Sequence, residues 1–162
     1  MALHSTLNDI PAKQRARLCD LLNARLADAI DLAAQVKQAH WNVKGPQFIA
    51  LHGLFDALHG AVTGQVDELA ERITALGGTA EGTVASVAKR SSLPAWPRDT
   101  VRGSACLQAV AAALSAHGAQ VRKAIRTAAK ADDDVTADLF TGMAAELDKQ
   151  LWLVEAHLQA DG

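Results

Sequence analysis

Four long stretches of the sequence repeat their apolar residues at intervals of three and four, the spacing of one face of an α-helix. An alanine-rich composition with only 4% aromatic residues also suits helices better than strands. We therefore predict an all-α fold built as a four-helix bundle. The predicted helices run from Pro11 to Ala39, from Gly45-Pro46 to the stop signal Gly77-Gly78, from Gly103 to Ala131, and onward from Asp132–Asp134.

The connection between the second and third predicted helices is long and irregular. It spans residues 79–102, contains Pro94 and Pro97, and includes a short helix-like piece at about 83–89. A long connection at this place suits a bundle with one crossover. A chain of 162 residues fits one domain, so we expect residues 1–162 to form a single unit with a short tail at 1–10.

Composition and charge exclude several classes of protein. The net charge of −2 gives no overall basic field for nucleic acid. No apolar run reaches the roughly 18 residues of a membrane span, and the N-terminus lacks the pattern of a signal peptide. We expect a cytoplasmic protein, with association to the nucleoid left open. Cys19 and Cys106 lie far apart and are expected to be reduced thiols, not a disulfide or a thiolate metal site.

Two pairs of potential metal ligands lie on the second predicted helix. His52 and Asp56 form the first pair, and Asp67 and Glu71 form the second. Residues four apart share a helix face, and the fifteen residues from His52 to Asp67 rotate the helix by a net angle of about 60°. All four side chains therefore lie on one strip beside the apolar stripe. Imidazole and carboxylate groups suit Fe(II) and similar divalent ions.

The spacing of the two pairs excludes a metal site within one copy of this helix. His52 and Asp67 are about 22 Å apart along the helix axis, whereas metal–ligand bonds are about 2 Å long. An antiparallel second copy, related by a two-fold axis near residues 61–62, would bring the pairs together and form two identical sites. The residues near that axis are small: Gly60, Ala61 and Gly64.

The same residue types also have plainer interpretations. A single His or Asp on a helix is often a solvated surface group or a helix–helix contact, so it is the two pairs in phase that favour metal ligands. His40 lies on the apolar face of the first helix, where a histidine is often a hydrogen-bonded core group. The other histidines have no comparable partners and are interpreted as surface or packing residues: His4, His59, His117 and His157.

Two long stretches of the sequence resemble the Dps family, the DNA-binding proteins from starved cells. The first, from His40 to Gly78, reads HWNVKGPQFIALHGLFDALHGAVTGQVDELAERITALGG. The second, from Asp132 to Leu158, reads DDDVTADLFTGMAAELDKQLWLVEAHL. The helix lengths and the short middle helix also fit, so the resemblance covers nearly the whole chain.

The resemblance implies a ferritin-like subunit that assembles into a hollow homo-dodecamer with ferroxidase centres at its two-fold interfaces. His40, His52 and Asp56 would come from one subunit, and Asp67 and Glu71 from its partner. The implied activity is the oxidation of Fe(II), with hydrogen peroxide preferred to dioxygen, and the storage of Fe(III) mineral. Zinc suits the same ligands as a substitute for iron.

Three further residues match functional positions of that family. Trp41 matches the tryptophan beside the centre, although an ordinary buried aromatic is the alternative. Asp134 and Asp138, at the start of the last helix, match the acidic residues of the three-fold pores through which iron enters. Three copies around an axis would concentrate negative potential on a cation path. Asp132 and Asp133 have the alternative of complementing the helix dipole.

DNA binding is possible for this family but is not favoured by this sequence. Members that bind DNA often carry a basic tail, whereas Met1 to Ile10 and the final HLQADG contain no Lys or Arg. A DNA-compacting structural protein with secondary metal binding remains the main alternative. A ferritin with a site inside each bundle would need Glu-x-x-His pairs on two helices, and none occurs. A helical adaptor protein that binds no metal is a third alternative. The five potential ligands in matching positions argue against it.

Overall fold

Five α-helices account for most of residues 3–159, the part of the chain that the computed structural model describes. Apart from an isolated bridge between Lys44 and Arg102, no strand pairing occurs within this range. The prediction of an all-α, four-helix bundle with a short helix in the crossover is therefore confirmed. The helices are α1 (Ala12–Asn42), α2 (Phe48–Ala75), α3 (Val84–Arg90), α4 (Gly103–Lys130) and α5 (Asp134–Ala156).

The four long helices enclose a single apolar core. Helix α1 packs along α2, α4 packs along α5, and α1 also meets α4 and the short α3. Most side chains at the apolar periodic positions are buried, and each fully buried one stabilises the bundle by about 1.5–3 kcal/mol relative to an exposed position. The larger buried side chains include Leu22, Leu26, Phe55, Leu58, Leu69 and Phe140.

Helix α2 ends in a Schellman motif at the predicted glycine pair. Gly77 has φ +82°, its N–H donates to the Thr74 carbonyl (2.9 Å), and the Gly78 N–H donates to the Ile73 carbonyl (2.9 Å). A Cβ atom at Gly77 would lie 2.8 Å from the backbone oxygen of His4. The position therefore requires glycine both for its backbone conformation and for the close approach of the N-terminal segment.

The N-terminal segment is held against this end of the bundle. The His4 N–H donates to the Gly77 carbonyl (2.7 Å). The Arg15 guanidinium donates to the carbonyls of Ile10 (3.0 Å) and Leu76 (2.9 Å). The segment is therefore tied to the bundle at His4 and Ile10, while Met1 and Ala2 of the predicted tail lie outside the described residues.

Helix α2 begins at Phe48, later than the predicted start at Gly45-Pro46. Gly45 has φ +127° and its carbonyl accepts from the Phe48 N–H (3.0 Å), so a turn precedes the helix. The Lys44 N–H also donates to the Val101 carbonyl (2.7 Å), which ties this segment to the crossover. Helix α1, by contrast, continues past Ala39 to Asn42 and carries His40 and Trp41 in its last turn.

The junction between α4 and α5 is built around Asp133. Asp132 adopts φ +50° after α4, and Asp133 caps α5 by accepting from the Thr136 N–H (3.1 Å). Asp133 is buried and forms an ion pair with Arg72 of α2 (2.8 Å). Burial alone would raise the pKa of the Asp133 carboxyl, but hydrogen bonds from Thr136 and Arg72 outweigh it and lower the pKa below its ordinary value.

The two cysteines do not form a disulfide with each other, as the sequence predicts. Cys19 and Cys106 are both free and buried, and burial raises the pKa of each thiol. Among the helices formed by residues 3–159, none has a stretch long and apolar enough to cross a membrane.

Candidate metal centre

His40 at the end of α1 and His52 in the second turn of α2 form a reciprocal pair. The Nδ1 of His40 lies 2.8 Å from the His52 carbonyl oxygen, and the Nδ1 of His52 lies 2.9 Å from the His40 carbonyl oxygen. The two rings stack with centroids 3.6 Å apart and planes 23° from parallel. Two histidines that the sequence separates by twelve residues are thus held face to face.

This pairing fixes which nitrogen of each ring can bind a metal. A backbone carbonyl only accepts hydrogen bonds, so Nδ1 of both His40 and His52 must carry a proton. In the neutral imidazole the lone pair then lies on Nε2, which remains available to a cation. Hydrogen bonds of this kind from the remote nitrogen are the usual support of histidine ligands in metal sites.

Asp56 follows His52 by one helical turn and points away from the core. Its carboxylate is 59% exposed and accepts from the Lys37 ammonium of α1 at 2.5 Å. The hydrogen bond and the charge of Lys37 lower the pKa of the Asp56 carboxyl, so this carboxylate is ionised at neutral pH. The centre therefore already contains a negative charge paired with a protein cation.

Lys37 and His59 are also neighbours of this site. The sequence pattern did not indicate Lys37, and His59 was interpreted from it as a surface or packing residue. Lys37 precedes His40 by three residues on α1, and helix spacing could have identified it as a neighbour of the predicted ligands. His59 follows Asp56 by three residues and is half-buried. Burial, and then the positive charge of Lys37, lower the pKa of the His59 imidazole.

Asp67 and Glu71 lie farther along α2 and are not brought to the histidines within one chain. Both side chains are exposed. Among residues 3–159 of a single chain, no group of three or more His, Cys, Asp or Glu side chains is placed to hold a metal ion. One chain thus presents two separate sets of donors at opposite ends of the same helix face.

The surface between these two sets is open at its glycine positions. Gly53, Gly60 and Gly64 all face this side, and a Cβ atom built at any of them would meet no atom within 4 Å. A shallow groove of about 530 Å³ lies at the centre and extends from His59 to Asp67. Another helix can therefore approach the backbone of α2 closely along this strip.

Aromatic residues flank the histidine end of the strip. Trp41 is 67% exposed, which contradicts the alternative of an ordinary buried aromatic within one subunit. The ring of Phe48 lies 5.2 Å from that of His52 and is also exposed. An apolar rim of this kind, left uncovered beside ionisable groups, is typical of a surface that another chain covers.

The two predicted pore residues lie on the first turns of α5. Asp134 and Asp138 are both exposed, in contrast to the buried Asp133 between them and α4. Asp138 borders a groove of about 610 Å³ between α2 and α5, together with Glu68. Within one chain the carboxylates of Asp134 and Asp138 contact solvent. The Asp133 carboxylate instead caps α5 and forms the ion pair with Arg72.

Comparisons with known proteins extend over almost the whole chain. A family model described as a ferritin-like domain matches residues 19–161. The DNA protection during starvation protein of Agrobacterium fabrum is 42% identical, with 98% of each chain covered. A Dps structure from Mycobacterium smegmatis superposes with a TM-score of 0.92 at 33% identity, covering 98% of this chain and 97% of that one.

A Dps protein from Vibrio cholerae, described as a member of a broad superfamily of ferritin-like diiron-carboxylate proteins, is also similar. Its TM-score is 0.90 at 25% identity, with 98% of this chain and 99% of that chain covered. The similarity thus includes both the order of the helices and the length of the subunit.

Proposed function

We propose, from the fact that this chain belongs to the Dps family of ferritin-like proteins, that it oxidises Fe(II) and stores the Fe(III) product inside a closed shell of identical subunits. Iron is the substrate and cargo of this reaction. The ligands in the proposal are His40, His52 and Asp56 of one subunit, with Asp67 and Glu71 of a second subunit.

The observation that carries this proposal is the reciprocal histidine pair. Its hydrogen bonds leave two Nε2 lone pairs free, and the ionised Asp56 lies one helical turn from His52. Two imidazoles and a carboxylate form a donor set that suits Fe(II). Zn(II) suits the same donors and would occupy the centre without turnover, because zinc has no redox chemistry.

The open glycine strip supports completion of the centre by a second copy of α2. In an antiparallel pair with a two-fold axis near residues 61–62, the exposed Asp67 and Glu71 of one chain would face His52 and Asp56 of the other. Each dimer would then contain two equivalent centres. Five donors from two chains could hold a pair of iron ions or a single iron ion.

The oxidation balances with hydrogen peroxide as the proposed oxidant and dioxygen as the alternative. Two Fe(II) ions each lose one electron, and the O–O bond of one peroxide molecule accepts both and breaks to give two hydroxide ions. The protein residues hold the two reactants together, which replaces a chance encounter in solution. The oxidation consumes the peroxide, and storage of the Fe(III) product removes the iron, so neither is left for radical chemistry.

The shell itself is proposed to contain twelve subunits in the cytoplasm, with Asp134 and Asp138 of three chains around each acidic pore.

A second candidate function, binding of DNA, is favoured by the name of the Agrobacterium fabrum relative, a DNA protection during starvation protein. The described part of the N-terminal segment, residues 3–10, contains no Lys or Arg and is tied to the bundle at His4 and Ile10. We therefore place iron chemistry first.

Mixing two defective subunits tests the shared centre. His52→Ala/Asp56→Ala and Asp67→Ala/Glu71→Ala proteins should each lose peroxide-driven Fe(II) oxidation when assembled alone. In a mixed dimer, one centre carries all the substitutions and the other has its full ligand set. Random pairing at equal amounts should restore about a quarter of the wild-type centres, because half the dimers are mixed.

The measurement is stopped-flow absorbance of Fe(III) formation on particles shown by mass spectrometry to contain both variants. A mixture of wild-type and His52→Ala/Asp56→Ala subunits provides the control for random pairing and should retain about half of the centres. Absence of any recovery in verified mixed particles would show that the centre is built within one chain.

A further inference from the structure

We propose that Lys37 is the resident counterion of the iron centre, which pairs with Asp56 while the centre is empty and is displaced when a divalent cation binds. This inference rests on the proposed function, because it assigns a role to a residue beside that same site. Lys37 would thereby weaken metal binding and set the affinity of the centre.

The first support is the position of the Lys37 ammonium. Its Nζ lies 2.5 Å from Oδ1 of Asp56, although the two residues are on different helices. The Lys37 side chain is only 25% exposed, so it extends along the bundle and not into solvent. Asp56 has no other ion-pair partner among residues 3–159. The carboxylate nearest to the two histidines is thus occupied by a protein cation.

The second support is that an ammonium and a divalent ion cannot share this carboxylate without repulsion. A metal bonded to Asp56 at about 2 Å would lie within about 4–5 Å of an ammonium hydrogen-bonded to the same group. Like charges at such distances repel strongly once solvent is excluded. Binding of a cation must therefore turn Asp56 away from Lys37 or move the lysine side chain outward.

The third support is that Lys37 can leave without disrupting the fold. Its four-carbon stem is flexible, and among the described residues its ammonium forms a hydrogen bond only with Asp56. Arg72 gives a contrast within the same chain, because its guanidinium bonds both Asp133 and Thr136 in a buried position. A lysine with one exposed partner suits a displaceable counterion, whereas Arg72 suits a permanent contact.

The inference is tested by zinc binding in the assembled protein, with no oxidant present. Isothermal titration calorimetry should show that Lys37→Met binds Zn(II) about fivefold more tightly than wild type. This factor corresponds to the loss of a competing ion pair whose strength is at the upper end of the range for exposed pairs. Lys37→Arg retains the charge and should remain close to the wild-type affinity. Lys123→Met on α4 removes the same charge from an exposed position and should have no effect.

The outcomes separate this inference from the proposed function. If wild-type protein and the His52→Ala/Asp56→Ala variant bind zinc equally, or neither binds it, the proposed centre itself is wrong. If wild type binds zinc more tightly than that variant, but Lys37→Met binds with affinity equal to or lower than wild type, the centre stands and the counterion role of Lys37 is overturned. The visible absorption of Co(II) provides a second readout, because its intensity should rise at lower Co(II) concentration in Lys37→Met.

Discussion

His117 shows how a single residue can set the acid tolerance of the bundle. Its side chain is completely buried in α4, and neither ring nitrogen has a hydrogen-bond partner within residues 3–159. Burial lowers its pKa from 6.5 to about 4, despite the nearby Asp28 carboxylate, which favours the charged form. The Asp28 carboxylate is already paired with Arg25 (2.7 Å), so a protonated His117 would compete with Arg25 for the same negative charge.

We predict that His117→Leu reduces the acid sensitivity of the protein. The folded state binds this proton more weakly than the unfolded state, so stability is retained above pH 6.5 and is lost as the pH falls toward about 4. For wild type, this group alone should remove about 2 kcal/mol of unfolding free energy between pH 7 and pH 5. The check is the change in thermal unfolding midpoint between these two pH values.

The exposed His157 provides the matched control for this prediction. His157→Leu, at the position that follows α5, should keep the wild-type change in midpoint between pH 7 and pH 5, whereas His117→Leu should show a smaller change. Equal changes for all three proteins would mean that another group controls acid stability.

The sequence indicated which residues are the proposed metal donors, but not what surrounds them. The four-residue spacing of His52 and Asp56 places them on one helix strip by geometry alone, as the structure bears out. The stacking of His40 on His52 depends on how α1 and α2 pack, which the sequence does not specify. The ion pair of Lys37 with Asp56 likewise connects two helices, so periodicity within either helix could suggest it but not establish it.

At the scale of helices, the contact between Arg72 and Asp133 joins α2 to the first turn of α5. Arg72 donates to both carboxylate oxygens of Asp133 (2.8 and 3.0 Å) and to the Thr136 hydroxyl (2.9 Å). Because Asp133 also caps α5, one guanidinium fixes both the start of that helix and its distance from α2. The exposed Asp134 and Asp138 extend from this fixed turn.

We predict that Arg72→Met destabilises the protein by about 3 kcal/mol, because it leaves a buried carboxylate without its charged partner. Adding Asp133→Asn should recover part of this loss, since the remaining buried group is then neutral. Chemical denaturation at neutral pH provides the measurement. Arg122→Met, which breaks the exposed pair with Asp148, is the control and should cost less than about 1 kcal/mol.

The boundaries of the helices were predictable wherever a local signal dominates. Gly77-Gly78 ended α2 as predicted, because the Schellman motif needs a residue of positive φ at that position. The start of α2 was placed too early, because Pro46 is compatible with both a first helical turn and the turn that precedes it. The structure has the turn, with a positive φ at Gly45, and the adjacent hydrogen bond from Lys44 to Val101 involves the distant crossover.

At the scale of the whole molecule, the exposed carboxylates on α5 should control how fast iron reaches the interior. We predict that Asp138→Asn slows the initial uptake of Fe(II) by about tenfold at low ionic strength, because each three-fold pore would lose three charges that attract cations. The difference should shrink as salt is raised, since exposed charges are then screened. The measurement is the initial rate of Fe(III) formation as a function of salt.

Glu155→Gln removes an exposed charge from the other end of the same helix and serves as the control. It should leave the rate and its salt dependence unchanged. If Asp138→Asn behaves like this control while the particle remains assembled, iron enters by a different route and Asp138 acts only at the helix start.

The separation of the two donor sets along α2 has a consequence for the timing of the chemistry during synthesis. On the proposed pairing, a newly translated subunit carries only halves of two centres and cannot turn over iron, however much peroxide is present. Catalytic competence would then increase with the square of the subunit concentration while dimers are scarce. Fe(III) would therefore form only where other subunits are present to enclose it. The separation of the two donor pairs on one helix would thus prevent mineral from forming before the shell assembles.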